Sequence, residues 1–142
     1  MLETAKQVRE ALGPVGIVID AIGGYRGESG IAEAPADELD AMLDPHVRSA
    51  WNLLRAFLPD VRVSEGGRVI TVSTTTAASP GPTGAAYAAA KAALETLTLA
   101  AAKELAKTDG TANVIVLRMI GGEKRTATST AEIVAAIRWL CS

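Results

Sequence analysis

The 142-residue sequence predicts an α/β fold: one domain built on a parallel sheet of about three strands flanked by helices. Three short apolar runs rich in β-branched residues alternate with longer stretches of helical periodicity. That is the pattern of βαβ units whose strands are buried on both faces. Loops rich in Gly, Ser, Thr and Pro follow each run, where an open parallel sheet places its ligand crevice.

The elements follow in order. A short helix over about Glu3 to Leu12 is stopped by Gly13-Pro14. Gly16-Ile17-Val18-Ile19-Asp20-Ala21-Ile22 reads as the first strand, followed by a loop over Gly23 to Pro35. A helix from about Ala36 or Asp37 to Leu58 ends before Pro59, with Leu39, Met42, Leu43, Val47, Trp51, Leu54 and Phe57 near helical spacing. Inside it, Pro45 removes a backbone donor and crowds the preceding turn, so a kink is expected at Asp44-Pro45-His46. Arg68-Val69-Ile70-Thr71-Val72-Ser73 is the second strand, and the loop Thr74 to Gly84 leads into an alanine-rich helix from about Gly84 to Lys107. Gly110, after Asp109, is expected to end that helix in the left-handed conformation. Asn113 to Ile120 is the third strand, and the loop Gly121 to Thr130 precedes a last helix from about Ser129 to Leu140. There the Ser129 hydroxyl can cap while Glu132 reaches back.

Composition excludes several functions. Fourteen basic and sixteen acidic residues leave a formal charge of −2, which offers no field for nucleic acid or an anionic membrane. The single cysteine, Cys141, and the single histidine, His46, supply neither a disulfide framework nor a metal-ligand cluster. No leader-like apolar segment follows Met1, and no apolar run approaches the roughly eighteen residues of a membrane span. The sequence thus predicts a soluble, cytoplasmic protein with no metal.

Tyr87-Ala88-Ala89-Ala90-Lys91 carries the chemistry. Tyrosine and lysine four apart share one helical face. An ammonium held near a phenol favours the phenolate, so Lys91 is expected to lower the Tyr87 pKa and make it a usable proton donor and acceptor. The pair follows directly on the loop leaving the second strand, whose end carries Ser73-Thr74-Thr75-Thr76, so hydroxyls and phenol converge on one crevice.

Thr74 lies thirteen residues before Tyr87, and Lys91 follows at Tyr-x-x-x-Lys. In this the sequence resembles the short-chain dehydrogenase/reductase family, whose shared pattern is a strand-end serine followed by tyrosine and lysine at those spacings. Asp20-Ala21-Ile22-Gly23-Gly24 occupies the place of the family's Asn-Asn-Ala-Gly motif. Met42-Leu43-Asp44-Pro45-His46-Val47 is similar to the helix bearing the active-site asparagine, and Gly66 to Ser73 to the strand before the serine. Ala131 to Leu140 is similar to the late family helix.

The resemblance implies a partial Rossmann-like, doubly wound sheet and an oxidoreductase that uses NAD or NADP on a small-molecule carbonyl or alcohol. Tyr87 would exchange the proton with the substrate oxygen, and Lys91 would lower its pKa and hold the nicotinamide ribose. Thr74 would stand in for the serine, with Ser73 as the alternative if the loop shifts by one. His46 falls at the asparagine, where imidazole can shuttle protons or merely sit at a helix bend. Gly23 and Ile22 would lie beside the cofactor, with Ile120 at the nicotinamide-contact position. Helices 37–58 and 84–107 would form a homo-oligomer.

Departures from the family pattern keep a second class open. The family's TGxxxGxG loop and its flanking strand and helix have no counterpart here, so residues 1–142 correspond to the central and C-terminal part of the fold. Gly23 to Gly30 does not replace the loop: Ser29 stands where a close-approach glycine belongs, Glu28 would repel phosphate, and Pro35 interrupts the helix. Leu117-Arg118 stands where the family has Pro-Gly, and the usual substrate lid is nearly absent. One sheet edge should therefore be bare. The alternative to an enzyme is a non-catalytic remnant that acts as an oligomerisation or assembly module. A cofactor-independent proton-transfer site on Tyr87 and Lys91 is a third reading.

Overall fold

The structure, a computed structural model, describes residues 1–121 and 127–142. Among the described residues, five α-helices flank one sheet in the order α1 (Leu2–Leu12), β1 (Ile17–Asp20), α2 (Glu38–Leu43), α3 (Ser49–Val63), β2 (Arg68–Thr74), α4 (Ala85–Leu105), β3 (Thr111–Leu117) and α5 (Thr130–Cys141). The three strands are parallel in the order β1-β2-β3, with Val18 opposite Val69 and Val69 opposite Ala112. Among the described residues nothing pairs with the outer side of β1 or β3. The fold is the partial Rossmann-like α/β sheet that the alternation of runs predicts.

The core lies between the sheet and helices α3 and α4. Val18, Val69 and Ala112 project from one face onto Leu54, Phe57, Val61, Ala101 and Leu105, all buried. Each large side chain so buried is worth about 1.5–3 kcal/mol. On the opposite face, α5 reaches the sheet at Arg68, whose Nε donates to the Leu140 carbonyl at 2.9 Å. Ile17 and Ile19 on that face are half exposed.

Two helix expectations need correction. The helix expected to end before Pro59 continues to Val63 with Pro59 inside it. The proline removes one helical donor, at about 3 kcal/mol, but the turn after it buries Val61 and sets the buried Asp60 against Arg9. The Arg9 guanidinium also donates to the Ala56 carbonyl in the affected turn. Burial of Val61 together with the Arg9 contacts to Asp60 and Ala56 therefore offsets the lost bond. Gly110, expected in the left-handed region, has no positive φ. It is small instead of strained: a Cβ there would lie 3.2 Å from the Thr108 hydroxyl and 3.3 Å from Leu105.

Other local signals are realised. Gly13 ends α1 at φ 84°, and Ser129 and Glu132 form a reciprocal capping box on α5. At Pro45 the backbone widens into a π-helical turn over Asp44–Arg48, and the Ser49 N–H bonds the Asp44 carbonyl five residues back. A missing donor inside a helix is accommodated by this longer register. The turn joins α2 to α3 and turns His46 into the interior.

Candidate active site

The carboxyl ends of the three strands and the first turns of α4 enclose a crevice of about 310 Å³. Ile22, Gly23 and Gly24 line it from the first loop, Thr74 from the end of β2, and Leu117 to Ile120 from the end of β3. Tyr87 and Lys91 enter from α4, one helical turn apart on one face. The expected residues Tyr87, Lys91, Thr74, Gly23, Ile22 and Ile120 are thus brought together.

Ser73 also lines the crevice, but its hydroxyl is engaged elsewhere. Register places it on the α4 side of β2, where its hydroxyl donates to Glu95 Oε1 at 2.5 Å. Thr74, one residue on, faces the other way. Its Oγ1 accepts from the Thr76 N–H at 3.4 Å and the Thr76 hydroxyl at 3.2 Å, which leaves its own proton free to donate.

Lys91 is almost fully buried, and its Nζ donates to the Val72 carbonyl at 2.9 Å and the Ile22 carbonyl at 3.4 Å. Two of its three N–H groups thus hold the ends of β1 and β2, and one remains. Burial lowers its pKa, and the nearby Asp20 carboxylate opposes that shift. Asp20 is itself buried, with its Oδ1 accepting the Ile22 N–H at 3.0 Å.

The expected depression of the Tyr87 pKa does not occur: the phenol is pushed up. Burial is the main cause and the Tyr25 phenol adds to it, while the Thr74 hydroxyl acts in the opposite direction. The ring lies against other side chains, so losing water disfavours the phenolate. Lys91, engaged with strand carbonyls, does not reverse this.

His46 is 1% exposed. Its Nε2 lies 3.0 Å from the Gly24 carbonyl, which can only accept, so Nε2 carries the proton. Nδ1 is buried without a partner among the described residues. Burial, then the Lys91 charge, lower the His46 pKa and keep the ring neutral. Its ring meets Tyr87 edge to face, with centroids 5.5 Å apart at 76°.

Tyr25 also belongs to the site, and no spacing in the sequence points to it. Its ring packs edge to face on Tyr87, with centroids 5.1 Å apart at 77°. Among the described residues no cluster of metal-ligating side chains occurs, and no helix is long and apolar enough to cross a membrane.

A family profile described as short chain dehydrogenase matches residues 1–132. The chain is 32% identical over 113 residues to the oxidoreductase UcpA of Escherichia coli strain K12, a match covering 78% of this chain and 42% of that protein. It is 30% identical over 103 residues to an uncharacterized oxidoreductase of Staphylococcus epidermidis, covering 72% and 44%. The chain thus spans less than half the length of these curated relatives. Among solved structures, an NADPH-bound short chain oxidoreductase of Pseudomonas aeruginosa, described as containing an atypical catalytic center, matches with a TM-score of 0.86. That match has 21% identity, over 99% of this chain and 63% of that one, and speaks to the fold.

Proposed function

This chain belongs to the short-chain dehydrogenase family, and on that premise we propose that it forms the proton-transfer part of an NAD- or NADP-dependent oxidoreductase acting on a carbonyl or alcohol. Residues 1–142 act as one unit, the central and C-terminal part of the family fold. The observation that carries the reading is the meeting of Tyr87, Lys91 and Thr74 in one crevice at the carboxyl ends of the strands. The crevice also suits the nicotinamide end of such a cofactor. A Cβ built on Gly23 meets nothing within 4 Å, so there is open space beside the strand end, and Ile22, Met119 and Ile120 add an apolar wall.

In the reductive direction the cofactor, when bound, supplies hydride to the carbonyl carbon. Tyr87, a neutral phenol at neutral pH, donates its proton to the carbonyl oxygen. Thr74 donates a second hydrogen bond to that oxygen and orients it. The remaining N–H of Lys91 would hold a ribose hydroxyl of the cofactor, while its other two donate to the Val72 and Ile22 carbonyls. His46 stays neutral and fixes the Gly24 carbonyl and the Tyr87 ring.

Calorimetric titration with NADH and NADPH, followed by turnover assays with simple ketones and alcohols, tests the reading. Binding of either cofactor, with turnover abolished in Tyr87→Phe, is expected. Absence of binding by both would favour the non-catalytic assembly role. The proposal extends to pairing of two copies through helices 37–58 and 84–107. The half-exposed Trp51 and Leu99 support it, as does the groove lined by Trp51, Leu54, Leu97 and Ala100. Sedimentation should show a dimer that Trp51→Glu converts to monomer, and a monomeric parent chain overturns this part.

A further inference from the structure

We propose that Tyr25 is a positioning residue for Tyr87, the outer half of an aromatic clamp that aims the phenol into the crevice and shields it from water. The Tyr87 ring meets two other rings. Tyr25 meets it edge to face at 5.1 Å and 77°, and His46 at 5.5 Å and 76°. With two rings packed on it in this geometry, the ring has less freedom about its side-chain torsions. Its hydroxyl end lies beside the Thr74 hydroxyl.

The segment bearing Tyr25 is itself anchored at three points. The Gly24 carbonyl accepts from His46 Nε2 at 3.0 Å. The Tyr25 hydroxyl donates to the Gly27 carbonyl at 2.7 Å, closing a turn within the loop. Gly27, at φ +148°, presses its backbone on Gly84, three residues before Tyr87, so closely that a Cβ on Gly27 would lie 2.3 Å from the Gly84 Cα. A Cβ on Gly84 would in turn lie 2.9 Å from the Tyr25 hydroxyl. Loop and helix start are thus fitted to one another through two glycines and one phenol.

Tyr25 is 62% exposed, so one side of the ring takes the solvent while the other covers Tyr87. Its place at the mouth of the crevice serves that covering function. Among the described residues, the polar and titratable groups against Tyr87 are Tyr25, His46 and Thr74, with Lys91 one helical turn on. His46 is neutral, and the Lys91 ammonium is turned to the Val72 and Ile22 carbonyls. Tyr25 is therefore the one whose removal opens Tyr87 to water. The assignment rests on Tyr87 being the proton donor proposed above, but its test needs neither cofactor nor substrate.

The chain has two tyrosines, so any substitution of Tyr25 leaves Tyr87 as the sole phenol, readable by phenolate absorbance. Tyr25→Phe keeps the ring and loses the hydroxyl, whereas Tyr25→Ala loses both. The Phe variant is expected to titrate above the ordinary tyrosine value and the Ala variant closer to it. Equal midpoints in two variants with wild-type circular dichroism would overturn the proposal. Should Tyr25→Ala unfold, Tyr25→Leu replaces it in the same comparison. A failed dehydrogenase reading would appear as absent cofactor binding and leave these titrations unmoved, so the two readings fail separately.

Discussion

Replacing Gly27 with alanine drives a methyl group into the backbone of the helix that carries Tyr87. Two costs follow. At φ +148° the backbone lies in a region that essentially only glycine occupies, and holding another residue there costs about 1–3 kcal/mol. The new Cβ would stand 2.3 Å from the Gly84 Cα, so loop and helix must part by about 1 Å to reach ordinary contact. Overpacking of that kind costs about 1–3 kcal/mol. The sum, roughly 2–6 kcal/mol, is a large fraction of the 5–15 kcal/mol by which domains are typically stable. With a urea slope of about 2 kcal/mol per molar, a loss of about 3 kcal/mol lowers the unfolding midpoint by about 1.5 M. Urea unfolding followed by circular dichroism measures it, with Gly23→Ala as the control. Gly23 has no positive φ and open space at its Cβ, so its alanine variant should unfold with the wild type. Should Gly27→Ala also fall within about 0.5 kcal/mol of wild type, the ordinary effect of a surface substitution, the packing of this loop on α4 is refuted.

The remaining predictions concern charge, the site and one cap. Because the fold holds His46 below its ordinary value of 6.5, the unfolded chain takes up a proton that the folded chain resists. The corresponding stability is present above 6.5 and is lost as pH falls below it. His46→Asn should therefore show a shallower decline of urea midpoint below that pH than wild type, and parallel declines would remove His46 as the cause. Thr74→Ser should keep turnover, because the hydroxyl that donates to the substrate oxygen remains. Thr74→Val should lower kcat by about 10²-fold or more, the usual effect of losing an oxyanion donor, and an active Val variant excludes the assigned role. Ser129→Ala removes the hydroxyl that accepts the Glu132 N–H and leaves the backbone half of the capping box, from the residue 129 N–H to Glu132, in place, with an expected loss of about 1 kcal/mol. A thermal scan that superposes on wild type would show that α5 does not depend on its cap.

Local sequence was enough wherever a short-range rule governs. Arg68 to Ser73 reads as a buried strand because its residues are apolar and β-branched on both faces, and the strand found runs to Thr74. The Ser129/Glu132 box and the break at Pro45 depend on groups within five residues of one another, so their signals survive in the linear chain. The Tyr87/Lys91 pair needed only the pitch of a helix, and its convergence with Thr74 only the rule that parallel strands end on one side of the sheet. Tyr25 carries no such signal, since its partner is 62 residues away and the contact exists only once the first loop closes on α4.

The sequence by itself determined the class of sheet, the order of its elements and the residues that crowd its carboxyl end. Tertiary structure decided what those residues can do. Strand alternation became informative only when α4 covered one face, which committed the Ser73 hydroxyl to Glu95 and left the Thr74 hydroxyl proton free at the crevice. The phenol of Tyr87 was expected to be lowered by Lys91 and is instead raised, because burial by side chains from two other elements acts more strongly than an ammonium already engaged by strand carbonyls. Spacing along a chain specifies who can be near whom. A pKa depends on how much water is left between them.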